Sequence, residues 1–572
     1  MKKILFLLQK KEKIDFLLIV SLVVVFSSIE IFIFSFLPII LSYFSDSGEK
    51  INQNFLTNFF ISENFHFKYI LIIFIFLFIL RSIFSVFVAY KKSKFVQSVN
   101  DNLSDKIFNN YLNKDYFFFL NNDSSEFVSK IIIEIDKFAY RLLDSVVIII
   151  TELFLIAFIF CFLLLNYFLV TIFFVIIILF FFTIFYLFYK KIFKKFGLFK
   201  LRHDVAKVDD LSKAFFMILN IKLDNLQEYF RSRFKLNTQN SSKSTFVLSF
   251  INECSKPFIE TVVVLLIFII LISSYYFFQI EKYQIFSMLS IFVIGMFRIL
   301  PSANRILIGF NNIKFHTSSI NVIYDQIRSV EAKKTQIQTP YSFRKAVHVF
   351  ENSITLNNVN FYYDLDRPVL KNINLNIKKN QTIGIKGISG SGKTTLLNIL
   401  CCLLKPTSGL ILIDEKLMTE DLQMFYQKKI GYVSQKIYLF NDTLLKNIVF
   451  DKDVKSYNKE LFKETIKAAN LESLIENLGE AENTLMGERG IKFSGGQQQK
   501  IGIARALYKD TEILIFDEAT SSLDKDSEND ILNTIKDLKN KKTLVIVSHK
   551  DSSFIFCDAI YELKDCSLTK IK

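Results

Sequence analysis

The chain has 572 residues, enough for two or three domains. Hydrophobic residues make up 51% of it and are concentrated before residue 310, which argues against a wholly soluble protein. The net charge of +15 is compatible with nucleic-acid binding, but the lysines cluster beside apolar segments. That placement is typical of the cytosolic face of a membrane protein, so we expect membrane lipids and no nucleic acid among its partners.

Six apolar runs long enough to cross about 30 Å of hydrocarbon follow one another before residue 310. They cover residues 16–44, 69–90, 146–165, 168–189, 257–277 and 283–300. Lysines precede the first run and follow the second and fourth, whereas the odd-numbered runs end in segments poor in positive charge. The positive-inside rule therefore predicts that both termini are cytosolic. The first run has no small-residue cleavage site after it, so we expect an uncleaved helix.

The long stretches between these runs have helical periodicity and are predicted to continue the membrane helices into the cytosol. Two segments are candidates for short transverse helices that touch a soluble domain, and one for an amphipathic helix on the outer side; they are residues 114–119, 219–227 and 55–61. We predict three parts in the chain: a membrane domain at 1–330, a linker at 331–347 and a domain of alternating strands and helices at 348–572.

A glycine-rich phosphate loop, Gly387-Ile-Ser-Gly-Ser-Gly-Lys393-Thr394, lies between an apolar strand at 383–385 and a predicted helix at 394–403. Glycines let backbone amides curl around phosphates, and the helix N-terminus adds partial positive charge. Lys393 is predicted to contact the outer phosphates, and Thr394 to offer its hydroxyl to magnesium. The phosphate-binding residues predicted here are Gly387, Ser389, Gly390, Ser391, Gly392, Lys393, Thr394 and Thr395. Cys401 and Cys402 fall in the predicted helix, where we expect core packing.

Four polar residues at the ends of apolar segments are predicted to act on the nucleotide. Asp517 ends the run Leu514-Ile-Phe and is placed to face a metal through water, and Glu518 is placed to polarise the attacking water. Gln435 is predicted to sense both the metal and the membrane domain. His549 ends another apolar strand, from which it can reach the terminal phosphate.

The segment Phe493-Ser-Gly-Gly-Gln497 opens a predicted helix and offers a hydroxyl and bare amides to an anion. Its predicted nucleotide-binding residues are Ser494, Gly495, Gly496 and Gln497. In the expected layout this segment cannot face its own phosphate loop, so we expect it to close on the ATP of a second copy. Because the chain carries one copy of each motif, the prediction is a homodimer.

An aromatic residue before the phosphate loop is a candidate platform for the adenine ring. Tyr363, in Val359-Asn-Phe-Tyr-Tyr, is the predicted platform, and its neighbours Phe361 and Tyr362 leave the choice open. The alternative role for Tyr363 is ordinary packing in a strand.

This combination of motifs resembles ATP-binding cassette (ABC) transporters, specifically exporter-type half-transporters. The resemblance implies a six-helix membrane domain fused to an α/β P-loop nucleotide-binding domain, with ATP and Mg²⁺ as cofactors and hydrolysis at both sites of a homodimer. Glu488 matches the family's segment that contacts the partner's coupling helices. This chain departs from the usual family pattern at Phe493, Lys500 and Lys550, none of which removes a catalytic group.

Charged residues inside the apolar runs are the main pointer to a cargo. Arg81 lies in the second run and Arg298 in the sixth, with Arg305 two turns further on. One interpretation is salt bridging between helices; Glu30 with Arg81 is such a pair, although a rise of 1.5 Å per residue puts them at somewhat different depths. The other interpretation is a basic cavity for an anionic head group, since guanidinium groups match phosphate geometry. Two further charges, Lys256 and Glu260, border the fifth run.

The segment Phe297-Arg-Ile-Leu-Pro-Ser-Ala-Asn-Arg305 and the segment 311–328 resemble the PglK-type lipid-linked oligosaccharide flippase of bacterial protein N-glycosylation. That resemblance implies transport of a polyprenyl-pyrophosphate-linked oligosaccharide from the cytosolic to the periplasmic leaflet of the bacterial inner membrane. The resemblance implies that Arg298 and Arg305 contact the head group. Arg81 is added to these predicted contacts because of its position inside the second run. The alternatives are an exporter of other lipids, drugs or peptides and, from a different class, an ATP-gated channel or regulator.

Overall fold

The computed structural model describes most of the chain, in two compact units. The described residues are 2–44, 67–122, 127–128, 130–276, 282–334, 350–364, 367–450, 457–487, 493–509, 511–521 and 523–572. The first unit comprises Met1–Asn113 and Asp123–Thr339. The second comprises Lys114–Asn122 and Pro340–Lys572. The proposed outer helix at residues 55–61 lies outside the described residues.

The described residues of the first unit form helices joined by short turns. Its helices are α1 (Lys2–Leu7), α2 (Lys10–Phe44), α3 (Phe67–Leu112), α5 (Asp144–Asn166), α6 (Phe168–Phe216), α7 (Ile218–Leu223), α8 (Gln227–Tyr276) and α9 (Lys282–Lys334), with π-helical turns at Lys130–Glu134 and Lys137–Leu143. Helices are expected where apolar side chains meet lipid, because they satisfy every backbone hydrogen bond within one segment. The 53 residues of α9 span roughly 80 Å, more than twice the hydrocarbon thickness, so it continues well past its apolar part.

Each predicted apolar run lies almost entirely within one of the six long helices. Within the described residues, four stretches are long and apolar enough to cross a membrane; they are Lys10–Phe36, Lys68–Leu112, Lys130–Leu165 and Phe292–Thr317. The stretch in α9 begins nine residues after the start of the predicted sixth run and ends 17 residues beyond its end. The side chains at the start of that run are not among those that the structure describes.

The helices of the first unit pack around a common apolar cluster. It joins residues of α2, α5, α8 and α9, among them Phe26, Leu163, Val263 and Phe292. A Cβ added to Gly309 would lie 2.9 Å from the Ile149 side chain, so a larger residue would displace Ile149 where α9 crosses α5. Packing of this kind determines how deep and at what rotation each charged side chain of the spans lies.

Each of the two segments predicted as transverse helices contains a short helix, at different bounds from those predicted. The first is α4 (Tyr116–Leu120), and it groups with the second unit. The other is α7, which belongs to the first unit. Both are short segments between the long helices.

The second unit contains two sheets. A four-stranded antiparallel sheet has the order β2-β1-β4-β5, and a six-stranded sheet has the order β10-β9-β3-β8-β7-β6. The strands are β1 (Ser353–Asp364), β2 (Arg367–Lys378), β3 (Thr382–Lys386), β4 (Ser408–Ile413), β5 (Lys416–Leu417), β6 (Ile430–Val433), β7 (Ile513–Asp517), β8 (Thr543–Ser548), β9 (Ala559–Lys564) and β10 (Ser567–Lys570). The helices are α10 (Lys393–Leu400), α11 (Glu420–Lys428), α12 (Leu444–Val449), α13 (Lys459–Ala468), α14 (Glu472–Glu476), α15 (Gly495–Tyr508) and α16 (Lys525–Leu538), with 3₁₀ turns at Ala481–Asn483 and Asp551–Phe554.

Strands β3, β8 and β7 run parallel at the centre of the larger sheet and are almost completely buried. Lys386 pairs with Ser548, and Asp517 pairs with Val547, so the carboxyl ends of these strands share one edge. Ligands of α/β sheets bind at that edge. The parallel arrangement therefore brings the phosphate loop and two of the predicted catalytic positions together.

One local prediction about α10 is wrong. The helix ends at Leu400 rather than Leu403, and Cys401 is its C-cap. Cys402 has φ +54°, a left-handed conformation that cannot continue the helix. Both thiols are buried in the core as expected, and burial raises the pKa of Cys402 to about 12, which keeps the thiol protonated.

Candidate functional site

The phosphate loop connects β3 to α10 in a tight turn. Gly390 and Gly392 have φ values of +82° and +101°, which side chains other than glycine rarely adopt. The Lys393 side chain folds back over the loop, and its Nζ donates to the carbonyl oxygens of Gly387 (2.9 Å) and Ile388 (3.0 Å). Lys393 is only 6% exposed. The lysine is thus held inside the loop whose predicted ligand is an anion.

Two features of the loop fit a bound phosphate. The Ser391 hydroxyl is buried and has no hydrogen-bond partner among the residues that the structure describes. A Cβ on Gly387 would lie 2.7 Å from both the Leu563 carbonyl oxygen and the Ser391 hydroxyl, so only a bare backbone fits there. A buried hydroxyl without a partner is costly, and a phosphate oxygen would satisfy it. Thr394 is exposed at the start of the helix, as a magnesium ligand must be. Ser389 is exposed in the loop, as a phosphate contact must be.

The end of β7 carries the two predicted acidic residues. Asp517 accepts a 2.7 Å hydrogen bond from the Tyr432 hydroxyl. Burial raises the pKa of Asp517, the Tyr432 hydrogen bond opposes that effect, and the neighbouring Glu518 carboxylate adds to it. A cation at this position would favour the charged form of Asp517, which is consistent with its predicted role toward magnesium.

Glu518 is held between two other predicted site residues. Its carboxylate lies 3.5 Å from the Lys393 ammonium and accepts a 3.1 Å hydrogen bond from the Gln435 amide. The backbone of Glu518 has φ +49°, a conformation that is strained for a residue with a Cβ and that is frequent at active sites. Its backbone N–H donates to the Val547 carbonyl, which fastens it to β8. The fold therefore assembles Lys393, Gln435 and Glu518 around one point.

His549 follows β8 directly and is exposed, and it makes no hydrogen bond within the described residues. The next residue, Lys550, departs from the usual family pattern and is firmly anchored. Its ammonium binds the Glu528 carboxylate at 2.7 Å and the Thr520 carbonyl at 2.9 Å. Ser552 donates to the other Glu528 oxygen. This network ties the segment that carries His549 to α16.

Ser494 forms the N-cap of α15 in a capping box. Its hydroxyl accepts from the Gln497 backbone N–H, and the Gln497 side chain accepts from the Ser494 N–H. A Cβ on Gly496 would lie 2.5 Å from the Ser527 hydroxyl, so close packing of α15 on α16 is a second reason for glycine there. Glu488 lies outside the described residues.

Tyr363 differs from its two aromatic neighbours in exposure. Phe361 is 4% exposed and belongs to the core, whereas Tyr363 is 38% exposed. The Tyr363 hydroxyl lies 3.1 Å from the Thr395 hydroxyl, so the ring is anchored to the helix of the phosphate loop. Phe117 of α4 stacks on the same ring, with centroids 6.2 Å apart and planes 11° apart. Sequence reasoning missed Phe117 as a neighbour of the predicted adenine platform, because only the aromatic character of residues 116–119 signals it.

The intramembrane charges form a cluster of two arginines on one carboxylate. Glu30 of α2 is 4% exposed and accepts hydrogen bonds from the side chains of Arg81 of α3 (2.7 Å) and Arg298 of α9 (2.7 and 2.8 Å). The salt bridge between Glu30 and Arg81 therefore exists, despite the depths expected from helix rise alone. Two guanidinium groups against one carboxylate leave an excess of one positive charge.

Arg305 forms a second pair further along α9. Its guanidinium lies 2.7 Å from the Glu152 carboxylate of α5, a partner that the sequence reasoning did not consider. Arg305 also borders a cavity of about 770 Å³ between α8 and α9. Apolar side chains such as Val263, Ile267 and Met296 line most of this cavity, and Lys256 and Glu260 join Arg305 among its charged lining residues.

Comparison with known proteins agrees with this architecture. Residues 18–300 match the model of the ABC transporter transmembrane region, and residues 370–521 match that of the ABC transporter domain. The structure of a bacterial Atm1-family ABC exporter with ATP bound has the same fold, with a TM-score of 0.72 over 98% of this chain and 94% of that one, at 20% identity. The chain thus joins an exporter-type ABC membrane region to an ABC nucleotide-binding domain, the arrangement of a half-transporter.

Among curated relatives, the ATP-dependent lipid A-core flippase of Syntrophus aciditrophicus is 41% identical over 210 residues, which cover 37% of this chain and 34% of the relative. The enzyme of the same name from Nitrosococcus oceani is 30% identical over 349 residues, 60% of this chain and 56% of the relative. A multidrug export ATP-binding/permease protein of Staphylococcus aureus is 38% identical over 220 residues, 38% of each chain. The matched regions span between about a third and just over half of the lengths of these relatives.

Proposed function

We propose that the chain is an ATP-driven flippase that acts as a homodimer and moves a lipid with a phosphorylated head group. The observation that carries the proposal is the excess positive charge at Glu30, Arg81 and Arg298 inside apolar helices. A purely structural ion pair needs one arginine per carboxylate, as Arg305 and Glu152 have. An anionic head group would neutralise the extra guanidinium, and without it an unbalanced, partly buried charge among apolar helices is costly.

The nucleotide site supports ATP turnover. Lys393 and the loop amides would hold the outer phosphates, with Thr394, Gln435 and Asp517 placed to hold Mg²⁺. When bound, the metal ion neutralises charge on the phosphoryl group. Glu518 lies at the end of β7, where it would orient and deprotonate water, while Gln435 restrains its carboxylate. The capped N-terminus of α15 at Ser494 would close the site of the second subunit.

The cavity between α8 and α9 supports an amphiphilic cargo. Its lining is mainly apolar: Val264, Leu300 and Phe297 suit a hydrocarbon chain, and Lys256 suits an anionic group. Apolar pockets with a few polar groups are typical of sites for amphiphiles.

Two cargo classes remain candidates within this proposal. The lipid A-core flippases among the relatives favour a phosphorylated glycolipid of that kind. A polyprenyl-pyrophosphate-linked oligosaccharide for protein N-glycosylation has the same head-group chemistry, and the short motif at residues 297–305 favours it. Export of uncharged drugs would not require the extra arginine. For either lipid we propose a bacterial inner-membrane location with both termini cytosolic, on the basis of the lysine distribution.

The test uses the full-length dimer in proteoliposomes, with a fluorescent lipid A-type glycolipid, a polyprenyl-pyrophosphate glycan and an uncharged dye as separate cargoes. Arg298→Gln leaves Glu30 paired with Arg81 and removes the extra charge together with the two hydrogen bonds that Arg298 donates to Glu30. We expect it to lower ATP-dependent translocation of the anionic cargo at least about tenfold, since one lost charge-assisted contact costs roughly 1.5–3 kcal/mol. The cargo whose translocation depends on both ATP and Arg298 is the substrate class.

The matched control removes a balanced pair, with Arg305→Gln and Glu152→Gln together. If the excess charge matters, the double variant retains more translocation than Arg298→Gln does. Equal translocation by Arg298→Gln and the parent would refute the head-group role. Transport of the uncharged dye alone would refute the lipid class.

A further inference from the structure

A second pocket lies in the membrane unit, away from the residues of the transport proposal. It has a volume of about 360 Å³ and is lined by residues of the π-helical turn Lys137–Leu143 and of α6, α8 and α9. The lining residues are Arg141, Lys200, Thr245, Leu248, Ser249, Asn311, Asn312, Phe315 and His316. The set contains two cations, an imidazole, two hydroxyls and two amides, and it contains no carboxylate.

The carboxylates near this pocket are already engaged. Glu134, which faces His316, forms a 2.7 Å ion pair with Lys137 and accepts a 2.5 Å hydrogen bond from the Ser319 hydroxyl. Asp204, one turn after Lys200, pairs with Lys207 at 2.8 Å. Within the described residues, neither Arg141 nor Lys200 has a carboxylate within salt-bridge distance.

The wall of the pocket is held rigidly by close helix contacts. A Cβ on Gly197 would lie 3.0 Å from the Phe315 ring, so α6 and α9 touch there. The Lys200 ammonium lies 5.8 Å from the centre of the same ring. Asn312 donates to the Ser145 hydroxyl at 3.2 Å. These contacts restrict where Lys200 and Asn312 can point, so these donors are arranged before any ligand arrives.

We infer that this pocket binds a phosphate-class anion, a compact group with several oxygen acceptors. Arg141 supplies a planar guanidinium that suits phosphate, Lys200 supplies a point charge, and Ser249 supplies a neutral donor. The volume admits a phosphate or pyrophosphate group with some water or a sugar, and it is too small for a lipid tail as well. This goes beyond the proposed lipid transport, because neither the nucleotide motifs nor the Glu30 cluster is part of it.

The anion has two possible sources, a lipid head group and a free soluble anion. Asn311 and His316 lie near the end of the apolar stretch Phe292–Thr317. At that position a head group can enter from the bilayer and a soluble anion from water. The shared chemistry is the phosphate group, and the experiment separates the two sources.

The chain contains no tryptophan, so a single introduced one reports on this pocket alone. Leu248→Trp is placed in the full-length dimer on a Lys393→Ala background, which weakens binding at the phosphate loop. Fluorescence is then titrated with sodium pyrophosphate in detergent, and separately compared in nanodiscs of phosphatidylcholine with and without phosphatidic acid. We expect a saturable change with at least one of the two phosphate probes.

Arg141→Gln with Lys200→Gln is expected to weaken the apparent affinity at least tenfold, and Lys200→Arg to retain it within about threefold. Lys213→Gln, on the same helix but outside the pocket, is the matched control and should stay within twofold. A response to pyrophosphate alone assigns a soluble anion, and a response to phosphatidic acid alone assigns a head group. Calorimetric titration without the tryptophan reporter repeats the measurement if Leu248→Trp fails to fold.

The inference is overturned if neither probe binds, or if the Arg141→Gln and Lys200→Gln variant binds as tightly as its parent. Its outcome is distinct from that of the transport assay. Binding here without lipid translocation contradicts only the proposed function, and translocation without binding here contradicts only the anion site.

Discussion

The Arg298 guanidinium donates two hydrogen bonds, of 2.7 and 2.8 Å, to the carboxylate of Glu30, a residue 268 positions earlier in the chain. Glu30 binds Arg81 at the same time, so one buried carboxylate links α2, α3 and α9. A bidentate guanidinium contact is geometrically specific, which fixes the relative rotation of these helices. The cluster therefore serves packing and keeps a positive charge available.

Glu30→Ala removes the only carboxylate of this cluster and leaves two guanidinium groups close together. We expect a loss of about 3 kcal/mol in stability, at the low end for broken buried pairs because both arginines remain partly exposed. Thermal unfolding of the purified dimer measures it. Glu253→Gln, an exposed position on α8, is the control and should leave the unfolding temperature nearly unchanged. Equal temperatures for Glu30→Ala and the parent would show that the cluster contributes no net stability.

Glu518→Gln should retain ATP binding and lower hydrolysis at least about a hundredfold, because general-base catalysis contributes roughly that much. Glutamine keeps the shape of the side chain but cannot take a proton from water. The control is Glu512→Gln, just before the opposite end of β7, where the carboxylate pairs with Lys429. Nucleotide binding and phosphate release are measured on the same preparation. Retained turnover in Glu518→Gln would remove this residue as the base.

Tyr363→Ala should raise the KM for ATP about tenfold, since stacking on a base contributes on the order of 1–3 kcal/mol. Tyr363→Phe keeps the stacking face and loses only the contact with the Thr395 hydroxyl, so we expect a smaller effect. Tyr362→Ala is the neighbouring control and should leave KM within about twofold. If Tyr362→Ala has the larger effect, the adenine platform has been assigned to the wrong ring.

Glu528→Gln tests how Lys550 is anchored. Hydrogen bonds from Lys550 and Ser552 lower the pKa of Glu528, although burial opposes them. A lowered folded-state pKa stabilises the protein above the unfolded-state value, near 4.3, and the benefit disappears as pH falls through the folded-state pKa. We therefore expect Glu528→Gln to cost about 1 kcal/mol at pH 7 and progressively less below about pH 4.

Denaturant unfolding of the nucleotide-binding domain within the full chain, followed at several pH values, measures this dependence. Glu562→Gln provides a control carboxylate on β9 for which no such loss is expected. A difference between Glu528→Gln and the parent that stays constant from pH 7 to pH 3.5 would contradict the assignment to the ionised carboxylate.

Much of the nucleotide site could be predicted from the sequence because its chemistry needs contiguous residues. A phosphate loop requires glycines, a lysine and a hydroxyl within eight positions, and Gly390 and Gly392 have the left-handed angles that the pattern implies. Asp517 and Glu518 follow a buried strand and lie at the same sheet edge as the loop. The partner of Asp517 was not predicted, because Tyr432 lies 85 positions away on another strand.

Sequence patterns predicted less well where a helix ends and which of several neighbouring aromatic residues is exposed. The end of α10 depends on the left-handed Cys402, which nothing in a run of apolar residues signals. Exposure distinguishes Tyr363 from Phe361, and it depends on which face of β1 meets the core. The stack of Phe117 on Tyr363 joins segments that are far apart in sequence.

The sequence by itself determined the apolar helices, the nucleotide motifs and the presence of arginines in the spans, because lipid and phosphate each demand a local residue pattern. Only the tertiary structure decided that Arg81 and Arg298 share Glu30 while Arg305 pairs with Glu152. Such pairing depends on the depth and rotation of each helix, and these are set by packing between distant segments. The distinction between a balanced pair and a cluster with surplus charge follows from that packing.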